Sequence, residues 1–136
     1  MRKATPAGIR GLYETVLYAE DVPGVAAFYA EALGLRVVEG PDKLAAAIRV
    51  PDGGLLLLFD PRLASQPDRP VPSHGTTGAG HVAFAVDSLA GWAERLAAVG
   101  VELEREVTWS DRGRSLYVRD PAGNSVELVE GDLWPR

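Results

Sequence analysis

The apolar positions of the chain switch between the two-residue period of a strand and the roughly 3.6-residue period of a helix. Apart from Glu14, residues 12–19 are apolar, β-branched or aromatic, which predicts a strand. Asp21 then offers an N-cap and Gly34 a C-terminal glycine, so a helix is predicted between them. One face of that helix carries Val25, Phe28, Tyr29, Ala32 and Leu33.

The same order of patterns returns in the second half of the chain. Residues 81–86 predict a strand, Asp87 or Ser88 offers the next N-cap, and Gly100 ends the helix. The apolar face of this helix carries Leu89, Trp92, Ala93, Leu96 and Ala97. Three strand candidates follow each helix, over residues 35–39, 44–50 and 55–59 and over residues 101–107, 115–119 and 125–130. The chain therefore reads as an internal duplication.

The duplication predicts one α+β domain of two tandem βαβββ modules, each with one helix over one face of its sheet. Module one covers about residues 12–60 and module two about residues 80–130. The segment between them, residues 61–79, is rich in proline and predicts an ordered linker or surface loop without a helix. The uncovered face of each sheet must be buried elsewhere or form a cleft.

The composition narrows the functional classes. The chain has 136 residues, the size of one domain, and its net charge of −5, without a basic stripe, argues against a nucleic-acid partner. The absence of cysteine excludes disulfides and thiol catalysis. No secretory pattern follows Met1, and the longest apolar run, residues 55–59, is too short for a bilayer. We expect a cytoplasmic protein without a membrane partner.

Three metal-ligand side chains lie at equivalent places of the repeat. Glu14 and His81 begin the first strand of each module, and Glu127 lies between apolar neighbours in the last strand of module two. The fourth equivalent position holds Leu57. A buried carboxylate needs a partner or a metal, and a Glu, His, Glu set suits Mn²⁺, Fe²⁺, Co²⁺, Ni²⁺ or Zn²⁺. For each side chain the alternative is a hydrogen-bonded or ion-paired residue of the fold.

Further candidates share a strand face near these residues. Ser115, Tyr117 and Arg119 alternate along one strand, and the repeat pairs Arg119 with Arg49. If this face lines the cleft, these side chains can bind a substrate carboxylate or phosphonate. In the alternative, both arginines are solvated strand ends. Trp109 is interpreted as a rim of the cleft or a cover of the core.

Several segments together carry a resemblance to a known family. They are residues 14–21, Phe28-Tyr29, Leu33-Gly34-Leu35, residues 80–84, residues 114–121 and Glu127-Leu128. Over roughly residues 12–130 the chain resembles the vicinal oxygen chelate superfamily, which includes glyoxalase I, fosfomycin-resistance proteins, extradiol dioxygenases and bleomycin-resistance proteins.

The resemblance implies a cup-shaped, curved mixed sheet with the helices outside and a homodimer, in some relatives with metal ligands from two chains. It places metal positions on Glu14, His81 and Glu127, and it implies that Glu14 acts as a base. Glyoxalase I has a fourth ligand where this chain has Leu57. The dioxygenases and fosfomycin-type proteins have histidine at the position of Glu14, and the metal-free antibiotic-binding relatives lack the ligands.

Three functions are therefore considered. The first is a metal-dependent lyase, isomerase or dioxygenase that stabilises an enolate or oxyanion of a small oxygen-rich substrate. The second is a metal-free dimer that sequesters an antibiotic or another aromatic molecule. The third is a sensor or partner-binding module with a structural metal.

Overall fold

The computed structural model describes residues 8, 10–76 and 78–134. Module one contains strand β1 (Glu14–Tyr18), helix α1 (Val22–Glu31) and strands β2 (Arg36–Glu39), β3 (Ala45–Arg49) and β4 (Leu55–Phe59). A short helix α2 (Pro61–Ala64) follows. Module two contains strand β5 (His81–Ala85), helix α3 (Trp92–Ala98) and strands β6 (Arg105–Thr108), β7 (Gly113–Arg119) and β8 (Ser125–Gly131).

The eight strands form two four-stranded mixed sheets with the same topology. Their orders are β1-β4-β3-β2 and β5-β8-β7-β6. In each sheet the first strand lies parallel to the last, and the remaining pairs are antiparallel. The predicted α+β fold of two tandem βαβββ modules is thereby confirmed, and the predicted mixed sheet consists of one four-stranded sheet per module.

Strand alternation separates a packed face from an open face in each sheet. The packed faces join the helices in one apolar cluster, to which module one contributes Ile48, Leu56 and Leu58 and module two contributes Val126 and Leu128. Burial of such side chains is worth roughly 1.5–3 kcal/mol each, which fixes the register of the strands. On the open faces the apolar side chains remain half-buried or exposed.

Helix α1 forms as the sequence predicts. The Asp21 carboxylate accepts a hydrogen bond from the Gly24 backbone N–H at 3.2 Å, which satisfies one free donor of the first turn. All five residues of the predicted apolar face are buried. The predicted N-cap of the second helix is wrong, because α3 begins only at Trp92, after Gly91 in the left-handed region. The Ser88 hydroxyl instead accepts from the Ala90 N–H.

The predicted absence of a helix in residues 61–79 is also wrong. Asp60 accepts a hydrogen bond from the Arg62 backbone N–H at 2.9 Å, and Pro61 occupies the first helical position. A cap followed by proline is a helix start, and it yields the single turn of α2. The rest of the linker packs through His74, whose Nδ1 lies 2.6 Å from the Tyr18 hydroxyl and whose ring meets the Phe59 ring edge-on at 4.7 Å.

A buried carboxylate joins the two modules. Asp120 accepts four hydrogen bonds, from the Tyr29 hydroxyl at 2.8 Å, the Asn124 side-chain amide at 2.8 Å, and the backbone N–H groups of Ala122 and Asn124 at 2.9 Å each. Burial, and then the charge and hydrogen bond of Asp120, raise the pKa of Tyr29 far above its ordinary value. This tyrosine therefore stays neutral and donates a hydrogen bond to the carboxylate.

Asn124 extends this network to the strands on both sides of the junction. Its amide nitrogen donates to the Tyr18 carbonyl at 3.2 Å, and its amide oxygen accepts from the Gly80 N–H at 2.8 Å. The end of β1 and the start of β5 are thus held at one turn.

The helices of the described residues are all too short or too polar to cross a membrane.

We expect Tyr29→Phe to lower the free energy of unfolding by about 1–3 kcal/mol, because it removes a buried hydrogen bond to a charged group. Urea unfolding would measure the loss. Tyr13→Phe is the matched control, because Tyr13 is 78% exposed. Equal stability of Tyr29→Phe and the wild type would contradict the assigned role of this bond.

The raised pKa of Tyr29 also predicts a dependence on pH. Below the unfolded-state pKa of about 10 both states keep the proton, so the stabilisation is complete. Above that pH the unfolded chain loses the proton while the folded protein keeps it, so stability falls. The advantage of the wild type over Tyr29→Phe should therefore shrink by about 1.4 kcal/mol per pH unit above 10. A constant difference between pH 8 and pH 11 would contradict this.

We expect His74→Ala to loosen the linker, because the imidazole supplies its contact with Tyr18 and Phe59. Proteinase K should cleave within residues 61–79 several times faster than in the wild type, as is typical when a loop loses its anchoring contact. Tyr18→Phe removes only the hydroxyl and should have the smaller effect. Unchanged cleavage in His74→Ala would show that other contacts hold the segment.

Candidate functional site

Two of the predicted metal ligands meet on the open face of the second sheet. β5 and β8 run parallel in a register that pairs His81 with Ser125 and Ala83 with Glu127. The Nε2 atom of His81 lies 3.2 Å from the Oε1 atom of Glu127. The Glu127 residue is only 7% exposed, whereas half of the His81 side chain is accessible. The pair therefore places one buried and one accessible metal-ligand side chain next to each other on the open face of the sheet.

The second ring nitrogen of His81 sets the hydrogen-bonding role of the first. The Nδ1 atom lies 3.2 Å from the Ser125 carbonyl oxygen. A carbonyl oxygen only accepts hydrogen bonds, so we assign the hydrogen to Nδ1. In the neutral ring the lone pair of Nε2 then points at the carboxylate oxygen. Two acceptors that face each other at this distance require a proton or a cation between them.

Ser115 and Trp109 hold the other oxygen of the carboxylate. The Ser115 hydroxyl donates to Oε2 of Glu127 at 2.5 Å, and it accepts from the Trp109 indole N–H at 2.9 Å. Ser115 is fully buried. Its hydroxyl is therefore engaged on both sides, in a place where the sequence analysis predicts a substrate contact.

Tyr117 lies beside the histidine and the carboxylate, on the neighbouring strand β7. Its ring stacks on the His81 ring with centroids 6.4 Å apart and planes inclined by 22°. Burial raises the pKa of the Tyr117 hydroxyl, and the hydrogen bond and charge of Glu127 raise it further. Tyr117 thus offers a neutral hydroxyl beside the His81–Glu127 pair.

Glu14 and Leu57 lie in module one at the places the repeat predicts. Glu14 is the first residue of β1, as His81 is of β5, and Leu57 has the position in β4 that Glu127 has in β8. The Glu14 residue is exposed. The described residues contain no group of three His, Cys, Asp or Glu side chains that could hold one ion. The single chain thus brings together His81 and Glu127, and it does not bring Glu14 to them.

The two predicted arginines are engaged at strand ends. Arg119 pairs with the Glu104 carboxylate through bonds of 2.6 Å and 3.1 Å, and it also donates to the Gly123 carbonyl at 3.0 Å. Arg49 donates to the Gly53 carbonyl at 2.8 Å. The arrangement matches the alternative in which both arginines belong to strand ends and turns.

An open cavity of about 550 Å³ adjoins the carboxylate. The cavity is lined largely by aromatic and small apolar residues, together with Glu127. The lining includes Ala83, Ala85, Trp109, Tyr117 and Trp134. The small side chains of Ala83 and Ala85 leave room beside Glu127. A planar molecule with polar oxygens fits such a lining, because its ring can contact the aromatics and its oxygens can approach the polar pair.

The donor set fits one side of a divalent metal site. Two ligands bound to one ion at about 2.1 Å lie about 3.0–3.4 Å apart. The separation of 3.2 Å between Nε2 and Oε1 falls in this range. The Ser125 carbonyl and the Ser115 hydroxyl orient the two ligands as outer partners commonly do in metal sites.

Sequence patterns did not indicate three of these contacts. The Trp109–Ser115–Glu127 series depends on a turn that brings Trp109 back over β7, and His74 reaches Tyr18 from a proline-rich segment with no period. Arg119 meets Glu104 from a neighbouring loop. The strand parity of Ser115 and Tyr117 did point to this face.

Comparisons with known proteins agree with the fold. The family model of the Glyoxalase/Bleomycin resistance protein/Dioxygenase superfamily matches residues 11–128. A crystal structure of lactoylglutathione lyase from Agrobacterium tumefaciens is similar at 37% identity and a TM-score of 0.87, with 93% of this chain and 98% of that chain covered. A search of curated proteins found no match.

More distant structures show the same fold. A glyoxalase/bleomycin resistance protein/dioxygenase from Nocardioides is similar at 22% identity and a TM-score of 0.71, with 96% of this chain and 89% of that chain covered. A virulence protein from Salmonella typhimurium is similar at 21% identity and a TM-score of 0.72, with 92% and 99% covered. The family match extends over most of the chain, and the repeated modules and the paired strand positions agree with it. The chain therefore belongs to the Glyoxalase/Bleomycin resistance protein/Dioxygenase superfamily.

Proposed function

We propose that this protein is a divalent-metal-dependent isomerase or lyase that acts on a small oxygen-rich substrate. The observation that carries the proposal is the meeting of His81 Nε2 and Glu127 Oε1 at 3.2 Å, with the remaining polar atoms of both side chains already held by the protein. A bound divalent ion would supply Lewis-acid stabilisation of negative charge that develops on substrate oxygens.

The surrounding residues take distinct roles in this proposal. His81 and Glu127 bind the ion from the second sheet. Burial and the neighbouring Glu127 raise the pKa of Tyr117, so its hydroxyl keeps its proton and donates a hydrogen bond to the Glu127 carboxylate beside the proposed ion. The apolar lining with Trp109 excludes water on one side of the cavity. Arg49 and Arg119 remain candidate contacts of a substrate anion only if they leave Gly53 and Glu104.

We further propose that the working form is a homodimer and that Glu14 of the partner subunit completes each site as ligand and base. Glu14 occupies the place of His81 in the repeat and lies on an exposed strand end. The open face of the first sheet is rich in half-buried leucine, phenylalanine and alanine, and such a face is typical of an interface. Leu57 supplies no donor, so the proposed set has three protein ligands and leaves room for substrate oxygens.

Lyase chemistry is favoured by the similarity to the lactoylglutathione lyase at 37% identity. The donor set limits how far that similarity extends, because Leu57 stands at the fourth position of the repeat. We therefore extend the reaction class to this chain, but not the substrate.

The first test is metal content. Protein purified without chelator or nickel affinity should contain about one divalent ion per chain, as one complete site requires. His81→Ala and Glu127→Ala should lose it, while Trp92→Phe on helix α3 should keep it. No bound metal in the wild type, even after incubation with Mn²⁺, Fe²⁺, Co²⁺, Ni²⁺ and Zn²⁺, would refute the proposed enzyme.

A mixing experiment tests the shared site. Glu14→Ala and His81→Ala should each bind little metal alone, since each lacks a ligand at both sites. After subunit exchange in equal amounts, mixed dimers hold one intact site, so binding should recover to about a quarter of the wild-type capacity. Absence of recovery, with exchange verified by mass spectrometry, would place Glu14 outside the site.

The alternative function is sequestration of an aromatic molecule without chemistry. The open cavity lined by Trp109, Tyr117 and Trp134 favours it, and His81 and Glu127 would then form an ion pair of the fold. A panel of aromatic ligands that quench the tryptophan fluorescence of metal-free protein, without turnover of any of them, would support this alternative. A third possibility, a structural metal, would show as loss of folding on chelation.

A further inference from the structure

We propose that Trp109 and Ser115 are positioning residues that hold the Glu127 carboxylate in the orientation that presents Oε1 to His81. This inference rests on the proposed metal site. The three side chains form one hydrogen-bonded series from the cavity wall to the carboxylate, at 2.9 Å and 2.5 Å. Neither Trp109 nor Ser115 touches His81 by a hydrogen bond within the described residues.

The direction of the series follows from the chemistry of its members. An indole N–H only donates, so the Ser115 oxygen accepts from Trp109. The single hydroxyl hydrogen then points at the carboxylate oxygen 2.5 Å away, which only accepts when ionised. Trp109 thereby fixes the rotation of the Ser115 hydroxyl, and Ser115 fixes which carboxylate oxygen is occupied. Oε1 is the oxygen that remains for His81.

Burial makes these contacts hard to replace. Ser115 has no exposed surface and Glu127 is 7% exposed, so little of either side chain is open to water that could take over the hydroxyl's role. A hydrogen bond to an ionised carboxylate is also stronger than one between neutral groups. Without the hydroxyl, the plane of the carboxylate is no longer held in one orientation, so an oxygen no longer stays directed at His81.

The series ends at the surface of the cavity. Trp109 is 39% exposed and lies in the cavity lining together with Tyr117 and Glu127. A molecule that stacks on the indole therefore touches the residue that orients Ser115. This arrangement couples occupation of the cavity to the orientation of the carboxylate without direct contact between the molecule and Oε2.

Binding of Co²⁺ alone to metal-free, full-length protein tests the proposal. Outer partners of metal ligands typically contribute roughly 10- to 100-fold to metal affinity. We expect Ser115→Ala to weaken Co²⁺ binding in this range and Trp109→Phe to weaken it by about 5- to 10-fold, a smaller loss because the hydroxyl remains. The visible absorption of bound Co²⁺ should change shape in both variants, because the ligand orientation changes.

The matched control is Trp92→Phe, which makes the same substitution on helix α3. Its indole lies beside Arg95 and takes no part in the series. This variant should bind Co²⁺ as the wild type does. If wild-type protein binds Co²⁺ and both Ser115→Ala and Trp109→Phe bind it equally well with unchanged absorption, the positioning role is refuted while the metal site stands.

A second measurement does not need the metal. In the ¹H–¹⁵N spectrum of metal-free protein, Glu127→Gln should shift the indole N–H signal of Trp109, although no hydrogen bond joins the two residues. Ser115→Ala should shift it as well, and the Trp92 signal should stay in place in both variants. An unmoved Trp109 signal in Glu127→Gln would refute the series itself. Failure of wild-type protein to bind Co²⁺ would refute the proposed function instead.

Discussion

The Asp120 carboxylate is the constraint on which the two modules and the candidate site depend. It is buried at the turn between β7 and β8, where an ionised group without partners would cost several kcal/mol. Two backbone N–H groups of its own turn, the Asn124 side chain and the Tyr29 hydroxyl of module one saturate it. The fold can bury this charge only if helix α1 lies against module two, so the turn also fixes how the modules meet.

The same turn sets the two halves of the site. β7 enters it and β8 leaves it, in a register that places Tyr117 opposite Glu127. Asn124 holds Gly80, the residue before His81, so the start of β5 is tied to the same point. The distance between His81 and Glu127 is thus determined by backbone pairing on rigid strands rather than by a flexible loop.

The sequence revealed those features that depend on local period and on repetition. Strand parity placed His81 and Glu127 on one open face. The repeat predicted that Glu14 corresponds to His81 and that Leu57 corresponds to Glu127, and the strand registers confirm this correspondence. Periodicity could not reveal contacts between distant segments. Tyr29 appeared only as part of an apolar stripe, and nothing in its spacing indicates that its hydroxyl reaches Asp120.

At two helix starts, the local sequence carries signals that favour different structures. Asp60 followed by Pro61 is a start signal, but it stands at the edge of a proline-rich segment that favoured a loop. Asp87 and Ser88 are good caps, yet helix α3 begins only at Trp92, and the Leu89 N–H donates to the distant Glu130 carboxylate instead of facing a cap. Side-chain hydrogen bonds thus accompany both boundaries, and composition does not show them.

Module two contains two buried carboxylates, Asp120 and Glu127, whose hydrogen-bond partners differ. Asp120 accepts four hydrogen bonds from neutral donors, so neither of its oxygens has capacity for a ligand. Glu127 is buried to a similar degree, but its Oε1 lies 3.2 Å from Nε2 of a histidine whose side chain is half exposed, and the Tyr117 hydroxyl also hydrogen-bonds to this carboxylate. Asp120 is thus paired entirely inside the fold, whereas Glu127 faces a side chain that solvent reaches. The proposed metal site depends on this difference, because a cation that entered from the open face would meet Nε2 and Oε1 together.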